Sequence, residues 1–195
     1  MLLETIRIYR RKAENLPWHQ QRLERSQKAL FGQAGGIVLQ ELELPGWLGP
    51  GLYKCRILYD TQIRQLEFQP YFPKEIQTVA LVRNNDISYP HKFADRRQLY
   101  ELLKFSGADE IIIAKNGLIT DSSFSNLAFS DGSKWFTPAT PLLAGTCRAR
   151  LIEEGRLTPA EIKIEDLPSF KSFKLINAML PLDESRPLPI SIIRL

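Results

Sequence analysis

The sequence is poor in the residues that build most metal and thiol chemistry, with two histidines, two cysteines and two methionines among 195 residues. His19 and His91 stand apart, so metal sites built on paired histidines are poorly supported. Cys55 and Cys147 have no paired spacing, which fits a reducing cytoplasm better than a disulfide framework. No apolar run approaches the ~20 residues needed to span a bilayer. Residues 1–7 place an acid early and offer no small-residue cleavage site, so no signal peptide is expected. Also missing are a Gly-x-Ser-x-Gly elbow, a phosphate loop ending Gly-Lys-Ser/Thr, a dinucleotide fingerprint, internal repeats and low-complexity tracts.

What is present is ordinary for a globular protein: 44% hydrophobic and 25% charged residues, enough for one domain or two small lobes. Lys and Arg number 26 against 22 Asp and Glu, a formal net charge of +4. The basic runs are short, Arg10-Arg11-Lys12 and Arg96-Arg97, with acids spread among them. A nucleic-acid footprint would concentrate on one face, whereas mild basicity suits an enzyme that handles anionic small molecules.

Periodicity predicts a strand over 2–10, with Leu3, Thr5, Arg7 and Tyr9 on one side and Leu2, Ile6 and Ile8 on the other. A helix is predicted over 17–31, opened by Pro17 and carrying Leu23, Ala29 and Leu30 as its apolar stripe. Strands 52–59 and 63–71 form a hairpin, and a strand at 76–83 follows. The polar stretch 83–86 before Tyr89-Pro90 reads as a linker, dividing an N-terminal lobe (1–85) from a C-terminal lobe (86–195). Asp95 and Gln98 form a capping-box pattern ahead of a helix at 96–105. Asn116-Gly117 and Asp131-Gly132 give hairpin turns, predicting a meander over 110–137. Gly145-Thr146 opens a helix at about 147–154, Thr158-Pro159-x-Glu161 caps a short one, and strands near 173–179 and 189–194 close the chain. The fold class is α+β, two small lobes with largely antiparallel sheets.

Three features carry chemistry. Lys92 sits in Tyr89-Pro90-His91-Lys92-Phe93, after the linker and beside aromatic rings; a lysine amine becomes a nucleophile when desolvation or a neighbouring cation lowers its pKa. Asp121 ends a short strand and precedes Ser122, Ser123, Ser125 and Asn126 before the next apolar strand. Gly145-Thr146 at a helix start offers unpaired N–H groups to a phosphate.

Lysine, acid and helix-start phosphate site in this order resemble the class IV aminotransferase family, the fold-type IV pyridoxal-phosphate enzymes. The resemblance extends to Glu4-Thr5-Ile6-Arg7, to His19-x-x-Arg22-Leu23 and to Ile176-Asn177-Ala178-Met179, and touches roughly half the chain. It implies pyridoxal 5'-phosphate as cofactor, a site at the interface of two lobes, and a homodimer acting on a small-molecule amine or amino acid. By position, Lys92 matches the lysine that forms the internal aldimine, and Asp121 falls where the family usually has a glutamate paired with the pyridine nitrogen. Arg22 matches the arginine that holds the cofactor phosphate, and Gly145-Thr146 match the phosphate-binding turn. Ser122 and Asn177 are further cofactor contacts in this reading, while Arg56, Tyr59 and Tyr9 are candidate contacts for a substrate carboxylate. Relative to the family pattern the chain is short at its N-terminus.

The tract from Lys92 to Arg96 is more similar to the lyase pattern than to the branched-chain transaminase, which places a tyrosine where Arg97 stands. The resemblance therefore implies a 4-amino-4-deoxychorismate lyase-like enzyme that eliminates pyruvate to give 4-aminobenzoate. The alternatives are an amino acid aminotransferase, of branched-chain or D-amino acid type, and a catalytically silent pyridoxal-phosphate binder.

Overall fold

The computed structural model describes residues 1–194. The chain forms two compact units, Met1–Pro73 together with His91–Asp95, and Lys74–Pro90 together with the chain from Arg96 onward. This division is not the single cut at 85/86 read from the linker. Residues 79–83 pair in parallel with 110–114 and so belong to the second unit, whereas the short segment carrying Lys92 belongs to the first.

In the first unit β1 (Leu2–Tyr9), β2 (Lys12–Ala13), β3 (Leu52–Tyr59) and β4 (Ile63–Pro70) form an antiparallel sheet in the order β2-β1-β3-β4. Side-chain alternation places Leu2, Ile6 and Ile8 of β1 in one core with Cys55, Ile57 and Tyr59 of β3 and Leu23 of α1 (Leu16–Phe31). The same alternation turns Glu4 inward, a carboxylate in the middle of an apolar face. Pro17 stands in the first turn of α1 as expected, but the buried face differs from the predicted stripe. It comprises His19, Arg22, Leu23, Ser26 and Gln27, while Ala29 and Leu30 lie exposed. The helix presents polar groups inward because the sheet offers polar partners there: Glu4 for His19 and Arg22, and the Asp60 carbonyl for Gln27.

The second unit holds two sheets. One is β13-β5-β6-β7, made of β5 (Val79–Arg83), β6 (Glu110–Lys115), β7 (Leu118–Ser122) and β13 (Ile193–Arg194). The other is β10-β9-β8-β11-β12, made of β8 (Asn126–Ser130), β9 (Trp135–Pro138), β10 (Thr158–Ala160), β11 (Ser172–Ile176) and β12 (Leu188–Pro189). Two helices accompany them, α2 (Arg97–Ser106) and α3 (Thr146–Glu153). Antiparallel ladders dominate, and the mixed α+β class read from the sequence is the one observed.

The predicted 110–137 meander is split, with β6–β7 in one sheet and β8–β9 in the other. The reason is burial on both faces of β6. Ile111 and Ile113 pack with Ile87 and Leu99 of α2, while Ile112 and Ala114 pack with Phe129 and Phe173 of the five-stranded sheet. A continuous meander would leave one of these faces open. Asn116 and Gly117 take φ values of 53° and 81°, the left-handed pair that a two-residue hairpin turn requires.

Three local expectations are corrected. Helix α2 begins one residue later than the Asp95 pattern implies, with Arg96 in the cap position and no side-chain cap bond. Thr158–Ala160 is not a helix start but a strand, β10, paired in parallel with β9; the short helical turn comes later, at Ile164–Ser169, where the Asp166 carboxylate accepts the Lys163 N–H. The predicted strand at 189–194 is interrupted by a helical turn at Ile190–Ile192. No helix among the described residues is long and apolar enough to cross a membrane.

Candidate functional site

In the first unit the predicted residue Arg22 grips Glu4, and Lys92 lies close enough for its charge to act on His19, the other partner of that carboxylate. Glu4 is fully buried and receives three donors: Arg22 Nε at 2.8 Å, Arg22 Nη2 at 2.5 Å and His19 Nδ1 at 2.6 Å. Burial alone would raise the carboxyl pKa, but the Arg22 charge and the His19 hydrogen bond outweigh it and hold Glu4 at about 2. The His19 pKa is lowered as well, for a different reason: burial favours its neutral form, and the charges of Arg22 and Lys92 add to that, against the pull of Glu4. A neutral imidazole must carry its proton on Nδ1 to meet a carboxylate, so Glu4 fixes the tautomer. The result is a buried guanidinium gripped along one edge by a carboxylate that cannot turn.

Lys92 is held by its backbone. The Leu3 N–H donates to the Lys92 carbonyl at 2.9 Å, the Ala94 N–H donates to Met1 O at 3.1 Å, and Phe93 bridges to Leu2. Residues 91–95 are thereby annealed to the start of β1, beside Glu4. His91 and Phe93 stack edge to face at 5.8 Å, and His91 Nδ1 lies 3.2 Å from Ser26 Oγ. The side chain of Lys92 is half-buried, which suits an amine that must lose part of its hydration.

In the second unit Asp121 is 5% exposed at the end of β7. Its Oδ1 accepts Asn126 Nδ2 at 2.7 Å and its Oδ2 accepts the Leu143 N–H at 2.8 Å. Burial pushes the Asp121 pKa up to about 7, against these donors and the charge of Arg148. Arg148 itself is buried, donating to Thr137 Oγ1 at 3.2 Å and to the Pro138 carbonyl at 2.8 Å. Gly145 caps α3 with extended backbone, and Thr146 is buried in the first turn. Any side chain at Gly145 would collide with the Asn126 amide oxygen, so this turn admits only glycine.

The structure places Ser122 and Asn177 in the crossing between the two sheets. Ser122 Oγ accepts the Ser125 N–H at 3.0 Å and the Phe124 N–H at 3.3 Å. Asn177 donates to Ser125 Oγ at 2.8 Å, while its Oδ1 accepts the Met179 and Leu180 N–H groups at 2.8 and 3.0 Å. Both side chains shape the turn that follows Asp121. Of the candidate carboxylate contacts, Tyr59 is core and 1% exposed, Arg56 pairs with Glu67 at 2.9 Å, and Tyr9 lies 5.2 Å beneath the guanidinium groups of both Arg7 and Arg10.

The first unit carries an amine and a fixed guanidinium, and the second carries a buried carboxylate and the helix start at Gly145-Thr146. A model of the family "Amino-transferase class IV" matches residues 60–182. The chain belongs to that family.

Among its relatives, a curated protein of Haemophilus influenzae whose function is uncharacterised is 40% identical over 182 residues, covering 91% of this chain and 97% of its own. A crystal structure from Haemophilus somnus 129pt, provisionally named a 4-amino-4-deoxychorismate lyase, is 36% identical with a TM-score of 0.81, covering 93% of this chain and 97% of its own. A provisionally named amino-acid aminotransferase from Mesorhizobium loti shares the fold at 21% identity, with a TM-score of 0.74 and coverage of 99% and 98%. Membership of a family of aminotransferases and lyases makes this class IV chain an enzyme.

Sequence reasoning did not give roles to Glu4, His19 or Asn126, although all three lie inside quoted motifs. The available signal was a charged residue on an otherwise apolar strand face: a carboxylate between Leu2 and Ile6 needs a buried cation, and Arg22 supplies one.

Proposed function

We propose that this class IV enzyme uses pyridoxal 5'-phosphate and acts as a 4-amino-4-deoxychorismate lyase, releasing pyruvate and 4-aminobenzoate. The observation that carries the cofactor assignment is the Glu4–His19–Arg22 cluster beside Lys92: a guanidinium is buried and aimed, and an amine stands near it. The residues fit the group. In the first unit Arg22 would meet a phosphate without a metal; in the second, the helix start at Gly145-Thr146 suits a phosphate and Asp121 would pair with a ring nitrogen. Lys92 Nζ is the point of covalent attachment, and Ser122 and Asn177 support the cofactor through the turn they shape.

When bound, the cofactor supplies an electron sink for the carbon bearing the substrate amine. The chain's own part is proton handling and orientation. Lys92 Nζ, as a free amine, would take the proton from that carbon. Asp121 as carboxylate keeps the ring nitrogen protonated. The finer assignment to a lyase is supported by the Haemophilus somnus relative, by the lyase-like tract from Lys92 to Arg96, and by Arg97 standing where the branched-chain transaminase carries tyrosine. The aminotransferase reading is favoured by the family model itself and shares the first proton transfer. By the same resemblance the working unit is a homodimer, and the free Cys55 and Cys147 suit a reducing cytoplasm.

The test is the absorption spectrum of the purified protein after addition of pyridoxal phosphate and removal of the excess, followed by borohydride reduction and peptide mapping. A visible band that reduction fixes at Lys92, absent from Lys92→Ala, is the expected result. A colourless protein indistinguishable from Lys92→Ala overturns it. Release of 4-aminobenzoate and pyruvate from 4-amino-4-deoxychorismate then separates the lyase from keto-acid exchange by a transaminase.

A further inference from the structure

Asn126 opens β8 at the point where the chain has left the four-stranded sheet, and it is 6% exposed. Its amide nitrogen spends both N–H groups, one on Asp121 Oδ1 at 2.7 Å and one on the Leu143 carbonyl at 2.8 Å. Asp121 closes the ring by accepting the Leu143 N–H on its other oxygen at 2.8 Å. The remaining amide oxygen of Asn126 lies against Gly145, the residue that caps α3. One side chain therefore joins three segments: the end of β7, the start of β8 and the turn that opens α3.

The chemistry of this position is narrow. A primary amide offers two donors and an acceptor from one small planar group. Alanine would leave a carbonyl and a carboxylate oxygen buried without their donor, and aspartate would set two carboxylates against each other. Among neutral residues only asparagine and glutamine supply this set, and glutamine is one methylene longer in a place where Gly145 already leaves no room.

We propose that Asn126 is a positioning residue that fixes the Asp121 carboxylate to the turn opening α3, and so sets the separation between the group that meets the cofactor ring and the helix end that meets its phosphate. This rests on the roles given above to Asp121 and to Gly145-Thr146. Asn126 itself acts only through them. A two-ended ligand gains affinity when both receiving groups are held at the right distance beforehand, and loses it when one of them drifts.

The test uses the full chain with Asn126→Ala, Asn126→Asp and Asn126→Ser, and Asp121→Asn as reference. Each is titrated with pyridoxal phosphate and with pyridoxal, and the bound absorption is followed across neutral pH. Asn126→Ala is expected to weaken pyridoxal phosphate about tenfold or more, a change of about 1.4 kcal/mol, and pyridoxal far less, because only the phosphorylated molecule engages both ends. The pH midpoint that Asp121→Asn displaces is expected to rise by about one unit in Asn126→Ala, since the carboxylate has lost a donor. Asn126→Asp, which preserves volume, moves it further in the same direction, and Asn126→Ser, which retains one donor, falls between wild type and alanine.

Equal weakening of both ligands with an unmoved midpoint would mean that Asn126 only packs, and overturns the inference. An Asp121→Asn variant that moves both readouts while the Asn126 variants do not overturns the inference alone. An Asp121→Asn variant that matches wild type in both removes the role of Asp121, and the inference falls with it. If Asn126→Ala does not fold, the aspartate and serine variants carry the same comparison.

Discussion

Glu4→Gln is expected to cost about 3–5 kcal/mol of stability near pH 7, the range for removing one partner of a buried ion pair and stranding the other. The loss arises at Arg22, whose guanidinium keeps its burial but loses its counter-charge. The pH dependence identifies the cause. The Glu4 pKa is lowered on folding from 4.5 to about 2, so its contribution is fully present above pH 4.5 and disappears as pH falls toward 2. A displacement of that size corresponds to about 3 kcal/mol. Urea unfolding of wild type and variant should therefore show a wide gap at pH 7 that narrows steadily below pH 5. A gap of constant width would show that Glu4 matters for its shape and not its charge. The variant should also bind pyridoxal phosphate more weakly, because Arg22 is no longer held along one edge.

Asp121→Asn gives the second large effect, with two signs. In the loaded enzyme kcat is expected to fall about 10²–10³-fold, the size typical of removing one preorganised electrostatic partner. In the cofactor-free chain the same change should help at high pH. The folded pKa of Asp121 is raised from 3.8 to about 7, so the native state holds this proton more tightly than the unfolded chain does. Stability is thus highest below about pH 4 for this group and is lost as pH rises through 7, by about 4 kcal/mol in total. Thermal unfolding of the two cofactor-free proteins at a series of pH values is the measurement. The difference should shift in the variant's favour between pH 4 and pH 8, and a pH-independent difference would mean that Asp121 ionises normally in the folded chain.

Local signals in the sequence that depend on covalent geometry carried through to the structure. Pro17 in a first turn and Asn116-Gly117 in a hairpin are such cases, because backbone preference and turn type leave little choice. The β1 pattern carried through for a similar reason, since strand alternation is strict. Less legible were the features decided by a distant partner. The inward face of α1 is polar only because Glu4 is waiting for it on β1, which no helical periodicity within 16–31 can reveal. Thr158-Pro159 has the composition of a helix start yet forms a strand, because the edge of β9 is available to it. The parallel pairing of β5 with β6 is invisible locally, and with it the assignment of residues 79–83 to the second unit. For the site, the amine, guanidinium, acid and helix-start turn stand out by residue type and order. Their supports, Glu4, His19 and Asn126, do not, because their importance lies in which atoms they hold still.

The short segment His91–Asp95 has a consequence for how the molecule is made. The chain leaves the first unit at Pro73, returns for five residues that anneal to the start of β1, and leaves again. The N-terminal strand therefore emerges from the ribosome long before its last partner does. Until Asp95 has been synthesised, the Leu3 N–H lacks the Lys92 carbonyl and Met1 O lacks the Ala94 N–H. Long-range closures of this kind are slow to form and leave a strand edge exposed in the interval. It follows that no fragment cut at Pro73 contains a finished first unit, and that the lysine and the strand beside it are inherited, exchanged or lost together.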